Sequence, residues 1–186
     1  SAECILKAAS APNTAGNVTI EVHVGSILAP ELDVSCIVNA ANTSLQHAGG
    51  IALVISEAAG KDQLAKECQA ILQSRTLGPG DCVMTTSCQL AQTSKIKNIA
   101  HLVAPIFRKS AALGEQQTQY CNAVECALQL AEKFKLDSIA IPLVGSGIYS
   151  WPGGRAARLI VNTVVSYIQK RNWSGKLSRV VFVDTD

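Results

Sequence analysis

The chain has 186 residues, of which 48% are hydrophobic and 16% are charged, and its formal net charge is +2. This composition is typical of one α/β-like domain and excludes a disordered or fibrous chain. The small net charge gives no sign of a broad basic surface for nucleic acid. No apolar run approaches the ~20 residues that a membrane-spanning helix needs, and no signal peptide is visible.

The cysteines and histidines bear on redox state and metal binding. The seven cysteines include no CxxC pair, and several stand in apolar runs, where cysteine behaves as a small hydrophobe. This pattern predicts reduced thiols in a nuclear or cytoplasmic protein. His23, His47 and His101 are dispersed along the chain. Because zinc needs clustered ligands, we expect no metal site, and nothing indicates a cofactor.

The first half of the chain alternates between strand and helix patterns. Residues 18–24 alternate apolar and polar side chains, which predicts a half-buried strand. The continuous apolar run at 35–38 predicts a strand buried on both faces. Apolar residues at helical spacing then predict helices at 50–59 and 61–74. Gly60 suits the C-cap between them, because glycine takes left-handed conformations without strain.

The second half continues in the same way. It predicts, in chain order, strands at 82–86 and 99–104, the longest helix at 115–134, a buried strand at 138–144, a helix at 153–168 and a last strand at 179–183. This alternation predicts a three-layer α/β/α sandwich with a central mixed, mostly parallel sheet. We expect residues 1–186 to form one domain, taken from a longer multidomain protein.

A first motif follows the buried strand at 35–38. The strand runs into Asn39 and Asn42, whose uncharged amides suit the hydroxyls of a ribose, although both could instead cap the following turn. Residues 48–50 (Ala-Gly-Gly) then open an apolar helix, where free N–H groups can face an anion. An ordinary loop is the alternative interpretation.

A second motif, Val-Gly-Ser-Gly-Ile-Tyr at 144–149, follows another strand end about a hundred residues later. Ser146 could donate a hydrogen bond to a phosphate or a sugar. Tyr149 could cover a sugar, or it could be a core aromatic with its hydroxyl at the surface. The GxSxG pattern of a nucleophile elbow is absent. Two such loops at the carboxyl ends of parallel strands can grip both halves of a diphosphate.

Few titratable side chains accompany the two motifs. His47 could polarise a water or a sugar hydroxyl, or it could simply bond to backbone. The nearest charged residues, Arg155 and Asp184, are expected to be structural or solvated. A diphosphate would therefore be held by backbone dipoles, with weak salt dependence.

Together these motifs resemble the macrodomain, a module that binds ADP-ribose, most closely the tandem macrodomains of mono-ADP-ribosyltransferases of the poly(ADP-ribose) polymerase family. The resemblance extends from about Val18 to Val183. It places residues 26–27 beside the adenine, and it places Asn42 and Tyr149 at the distal ribose. The ligand-binding residues that we expect are Ser26, Ile27, Asn39, Asn42, Ala48, Gly49, Gly50, Ile51, Ala52, Val144, Gly145, Ser146, Gly147, Ile148 and Tyr149.

Two positions depart from the family pattern. Ser26 stands where the family usually has an aspartate that accepts a hydrogen bond from the adenine amino group. Losing a charge-assisted bond costs ~1.5–3 kcal/mol, so adenine selectivity is expected to weaken. Ala48 stands where the first of three glycines is common, and its methyl group would narrow the loop if that position needs a positive φ.

Three functions are compatible with these residues. The first is a non-catalytic module, monomeric in isolation, that binds ADP-ribose either free or attached to protein. The second is a hydrolase of mono-ADP-ribosylated protein, although Ala52 stands where related hydrolases often have an aspartate. The third is a degenerate macrodomain that binds RNA or a protein, which Ser26 favours and the near-neutral charge opposes. We expect the first, with no membrane or nucleic-acid partner and with any transferase activity elsewhere in the parent protein.

Overall fold

The computed structural model describes residues 1–9, 18–144, 149–170 and 175–185. Within these ranges the strands are β1 (Ala2–Ala9), β2 (Thr19–Gly25), β3 (Cys36–Ala40), β4 (Cys82–Thr86), β5 (Asn98–Leu102), β6 (Ser138–Ile141) and β7 (Arg179–Asp184). The helices are α1 (Gly50–Ala59), α2 (Lys61–Ser74), α3 (Leu90–Thr93), α4 (Leu113–Lys133) and α5 (Gly153–Lys170), with a short 3-10 helix at Pro30–Leu32. None of the helices in the described ranges has the length and apolarity needed to span a bilayer.

The strands form one mixed sheet in the order β1-β2-β7-β6-β3-β5-β4. All pairs from β2 through β7, β6 and β3 to β5 are parallel. The two edge strands, β1 and β4, pair antiparallel with their neighbours. The mixed, mostly parallel sheet predicted from the sequence is therefore confirmed.

Helices cover both faces of the sheet. Alternate side chains of β3 point to opposite faces: Cys36 and Val38 pack in the same cluster as buried residues of α4 and α5. Ile37 packs with buried residues of α1 and α2 on the other side. Because both faces are buried, the central strands carry continuous apolar runs. This arrangement confirms the predicted α/β/α sandwich.

Several element boundaries differ from the sequence predictions. The strands expected to reach residues 104 and 144 end earlier, at Leu102 and Ile141. Pro142 follows β6 directly and has no N–H to donate to a ladder, so residues 142–144 leave the sheet. The sequence patterns also did not identify α3 or the short 3-10 helix, because elements of three or four residues show no full period.

An ion pair between the buried Glu21 and the partly exposed Arg179 ties β2 to β7. Arg179 donates from Nε to Oε1 of Glu21 over 3.0 Å and from Nη2 to Oε2 over 2.8 Å. Arg179 also donates from Nη1 to the carbonyl oxygen of Leu32, which anchors the 3-10 helix. The hydrogen bond from Arg179 lowers the pKa of Glu21 from 4.5 to about 2, against the opposing effect of burial. The carboxylate therefore stays charged inside the fold.

We predict that Glu21→Gln lowers the free energy of unfolding at pH 7 by roughly 2 kcal/mol, because it removes the charge-assisted hydrogen bonds from Arg179. The folded pKa lies below the ordinary value of 4.5, so this stabilisation is complete above pH 4.5 and is lost as the pH falls towards 2. Urea unfolding at a series of pH values should show the wild-type and variant curves converging over that window. The exposed pair of Glu57 with Lys61 provides the control, since Glu57→Gln should cost roughly 0.3–0.5 kcal/mol.

Candidate ligand-binding site

A cleft of about 570 Å³ opens beyond the carboxyl ends of β2, β3, β6 and β7. Its volume lies within the ~300–1,000 Å³ that is typical of small-molecule sites. Ten of the residues predicted from the sequence line it: Ser26, Ile27, Asn42, Ala48, Gly49, Gly50, Ile51, Ala52, Val144 and Tyr149. The structure therefore brings the first loop, the adenine-side residues and the two described ends of the second loop to one cavity.

The amino terminus of α1 faces this cleft. The N-cap residue Gly49 provides no side-chain hydrogen bond, so the first N–H groups of the helix are left for solvent or a ligand. A Cβ atom added at Gly49 or Gly50 would meet no other atom within 4 Å, which shows that the loop surface is open. Gly50 has φ +57°, in the left-handed region that favours glycine. Ala48 has no positive φ, so its methyl group brings no backbone strain.

The side chain of Asn42 shapes the loop that precedes α1. Its Oδ1 accepts a hydrogen bond from the N–H of Gln46 over 3.0 Å and another from the hydroxyl of Ser44 over 3.1 Å. Its Nδ2 donates to the carbonyl oxygen of Gln46 over 3.3 Å. Asn42 therefore caps the turn, as one interpretation of the sequence predicted, and lines the cleft as well.

Asn39 is fully buried and does not line the cleft. Its Nδ2 lies 3.3 Å from Nδ1 of His47 and 3.1 Å from Nδ1 of His101. The direct ligand contact expected for Asn39 is therefore not what the structure shows, because β3 carries this side chain into the interior. Its position instead supports the loop residue His47 from beneath.

The two histidines beside Asn39 form a stacked pair, with ring centres 5.3 Å apart. Burial lowers the pKa of His101 from 6.5 to about 3 and also lowers the pKa of His47. Both rings are therefore neutral at pH 7. His47 contacts Asn39 and, through Nε2, Sγ of Cys68 at 3.6 Å, and it is not among the residues that line the cleft.

Asp184 is the one acidic or basic side chain among the described residues that line the cleft. Asp184 is the last residue of β7 and pairs in register with Val24 of β2, which lies two residues before Ser26. Asp184 and Ser26 therefore lie at the same end of the cleft. The hydroxyl oxygen of Ser26 accepts a bond from the N–H of Leu28 over 3.2 Å. Sequence reasoning expected Asp184 to be structural or solvated and so missed its place in the cleft.

The second loop is described only at its two ends. The hydroxyl of Tyr149 donates to the carbonyl oxygen of Ala41 over 2.8 Å, and the residue is 8% exposed. Tyr149 thus links the second loop to the first and lines the cleft with little of its surface exposed. The roles expected for Gly145, Ser146, Gly147 and Ile148 concern residues outside the described ranges and stay predictions.

The remaining lining residues were not identified from the sequence. Most of them flank the carboxyl ends of parallel strands. They are Gly25, Ala40, Gln46, Val54, Pro142, Leu143, Val183 and Thr185. Small and apolar side chains at such positions do not by themselves indicate a binding site. Only their position in the chain could have identified them, because the ligand sites of parallel sheets lie beyond the carboxyl ends of the strands.

Comparison with known proteins identifies the family. The family model described as Macro domain matches residues 38–160. An O-acetyl-ADP-ribose deacetylase from Klebsiella pneumoniae (strain 342) is 37% identical over 166 residues, which are 89% of each chain. The Oceanobacillus iheyensis macrodomain with ADP superposes with a TM-score of 0.79 at 29% identity, over 98% of this chain and 88% of that one.

The chain therefore belongs to the macro domain family, as the sequence resemblance indicated. The human protein mono-ADP-ribosyltransferase PARP14 is 32% identical over 155 residues. That match covers 82% of this chain and 8% of PARP14. The family thus includes chains of about this length as well as far longer proteins.

The two loop glycines should respond differently to substitution. We predict that Gly50→Ala lowers the free energy of unfolding by roughly 1 kcal/mol, because a Cβ strains the left-handed backbone. Gly49→Ala should leave stability almost unchanged, since its φ of −167° is ordinary extended backbone. Urea unfolding of the two variants provides the comparison. Equal losses would contradict the assigned backbone of Gly50.

Proposed function

We propose that this domain binds ADP-ribose, either free or attached to protein, without catalysing its removal. The observation that carries the proposal is the cleft itself. An uncapped helix amino terminus faces one part of it, and a carboxylate lies at another. The helix terminus suits a diphosphate, and the carboxylate suits an amino-bearing base. The ADP bound in the Oceanobacillus iheyensis macrodomain supports the same ligand class.

The lining also supports binding over catalysis. Among the described lining residues, Asp184 is the one acidic side chain, and none is a histidine, a cysteine or a lysine. Ala52 occupies the position after the glycine loop at which related hydrolases often have an aspartate. Of the neighbouring histidine pair, His101 is buried and His47 is half-buried, and both rings contact Asn39 outside the cleft lining.

Hydrolysis is the second candidate function, because the relative from Klebsiella pneumoniae carries the name O-acetyl-ADP-ribose deacetylase. A water positioned by the ligand's own phosphate could perform this reaction without a protein carboxylate. Single-turnover assays on a glutamate-linked ADP-ribosylated protein would test it. Release faster than in buffer, abolished by Asn42→Ala, would replace the binding proposal with an enzymatic one.

The domain context is part of the proposal. We propose that the chain is one macrodomain of a longer protein, in which transferase activity belongs to a different domain. The match to 8% of PARP14 supports this arrangement. ADP-ribosylated proteins would then be the physiological partners of the module.

Calorimetric titration with ADP-ribose tests the binding proposal directly. We expect a one-to-one isotherm with a micromolar Kd and weaker binding of AMP, which lacks the diphosphate and the distal ribose. Asn42→Ala should weaken binding by about tenfold, or ~1.4 kcal/mol, because it removes a lining amide. Ser44→Ala is the matched control, since it removes a bond within the same loop and leaves the cleft lining intact. No heat at millimolar ADP-ribose would overturn the proposal.

We expect Asp184 to provide part of the adenine selectivity that is lost because Ser26 replaces the usual aspartate. We predict that Asp184→Asn weakens ADP-ribose binding by roughly ten- to a hundredfold, because a carboxylate accepts more strongly than an amide from an exocyclic amine. The hypoxanthine analogue of ADP-ribose lacks this amine and should bind both proteins with similar, weaker affinity. Asp62→Asn, on exposed α2 surface, is the charge-matched control. An equal loss for both ligands would assign Asp184 a general electrostatic role instead.

A further inference from the structure

The loop after β5 is fastened to the second motif beside the cleft. The N–H of Phe107 donates to the carbonyl oxygen of Tyr149 over 2.8 Å. The indole Nε1 of Trp151 donates to the carbonyl oxygen of Pro105 over 2.7 Å. The ring centres of Phe107 and Trp151 are 5.2 Å apart. Because Tyr149 lines the cleft, the loop at residues 103–112 lies at the edge of the cleft.

This loop and the start of α5 bring four cationic side chains together. The guanidinium carbon of Arg155 lies 5.9 Å from the centre of the Phe107 ring, a distance typical of a cation–π contact. Arg108 and Lys109 directly follow Phe107 in the chain. Arg158 lies about one turn after Arg155 on the same side of α5. The four cationic residues are all exposed, and together they form the basic rim.

No carboxylate balances the basic rim within the described part of the chain. Residues 103–114 and 149–160 contain no aspartate or glutamate. Other cations have an acidic partner at 3.4 Å or less: Lys7, Lys61, Arg75, Lys95 and Arg179. None of the rim residues has such a partner among the described residues. Ion pairing within the fold therefore does not account for these charges.

The loop that carries half of the basic rim is held by a buried amide. Oε1 of Gln116 accepts a hydrogen bond from the N–H of Arg108 over 2.7 Å, and its Nε2 donates to the carbonyl oxygen of Arg108 over 3.1 Å. Gln116 itself is buried. Ile106, in the same loop, is 48% exposed. The loop therefore presents cations and an apolar side chain on a backbone that is fixed to α4.

We propose that the basic rim binds acidic residues that flank the modified side chain of an ADP-ribosylated protein. This inference rests on the proposed ADP-ribose function. A protein is attached to ADP-ribose through the distal ribose, which the family resemblance places at Asn42 and Tyr149. The polypeptide then leaves the cleft beside Tyr149, where the loop with Arg108 is bound. Cations at this point attract carboxylates on the neighbouring residues of the polypeptide.

The surface suits a peptide better than a nucleic acid. Proteins that bind single-stranded nucleic acid offer aromatic faces on which bases stack. Here Trp151 is buried, and the guanidinium group of Arg155 lies over the ring of Phe107. The exposed Ile106 instead offers an apolar contact of the kind that peptide side chains use.

Two matched peptides test the proposal. Both carry mono-ADP-ribose on one central glutamate, which is flanked by aspartate and glutamate in the first peptide and by asparagine and glutamine in the second. We expect calorimetric titration at ~0.05 M salt to show roughly fivefold to tenfold tighter binding of the acidic peptide. The preference should shrink at ~0.5 M salt, because salt screens exposed charges.

Charge-neutral variants locate the surface. Arg108→Gln combined with Arg155→Gln should remove most of the preference and leave the affinity for free ADP-ribose unchanged, since neither residue lines the cleft. Lys66→Gln combined with Lys97→Gln is the matched control. It removes two exposed cations, on α2 and just before β5, and should retain the preference.

Each result decides the inference. Equal binding of both peptides by a domain that binds free ADP-ribose would overturn it and leave the proposed function standing. No binding of free ADP-ribose or of either peptide would overturn both. A preference that survives the double rim variant, or that the control removes, would also contradict it. Binding of single-stranded RNA that the rim variant abolishes, without a peptide preference, would assign the surface to nucleic acid instead.

Discussion

Parallel pairing of β2, β7, β6 and β3 is the constraint on which the rest of the molecule depends. Because these strands run in one direction, their carboxyl ends meet at one edge of the sheet, and the loops that follow them surround one cavity. Helices on both faces keep the strands buried, so little of the sheet except this edge is left to bind a ligand. The Glu21–Arg179 ion pair fixes β2 against β7 within this set.

The cleft offers few charged side chains to a ligand. The part proposed to hold an anion consists of backbone N–H groups at the start of α1, made accessible by a left-handed glycine at position 50. Such dipoles are fixed by the fold and need no reorganisation when a ligand enters. Asp184, the one carboxylate among the described lining residues, ends β7 and adds polarity where Ser26 is neutral. A cleft with backbone N–H groups at one part and a carboxylate at another suits a ligand with an anionic diphosphate and an amino-bearing base.

A second layer of residues lies beneath the loop. Asn39 contacts His47 and His101, and His101 also shares a 2.9 Å hydrogen bond with Oγ1 of Thr85. Burial keeps both rings neutral, because a charged imidazole loses its hydration there. These contacts join the loop to β3, β4 and β5. The conformation of the cleft therefore depends on polar groups that never reach its surface.

The sequence alone determined most elements, including α1, α2 and the sheet class, because hydrophobic periodicity and glycines at element ends are local features of the chain. It also identified ten lining residues, through two loop motifs and the family resemblance. Only the tertiary structure decided that Asn39 is buried, that Asp184 lines the cleft, and that dispersed His47, Cys68 and His101 converge. These outcomes depend on strand register and helix packing between residues distant in the chain. Local sequence patterns do not encode such contacts.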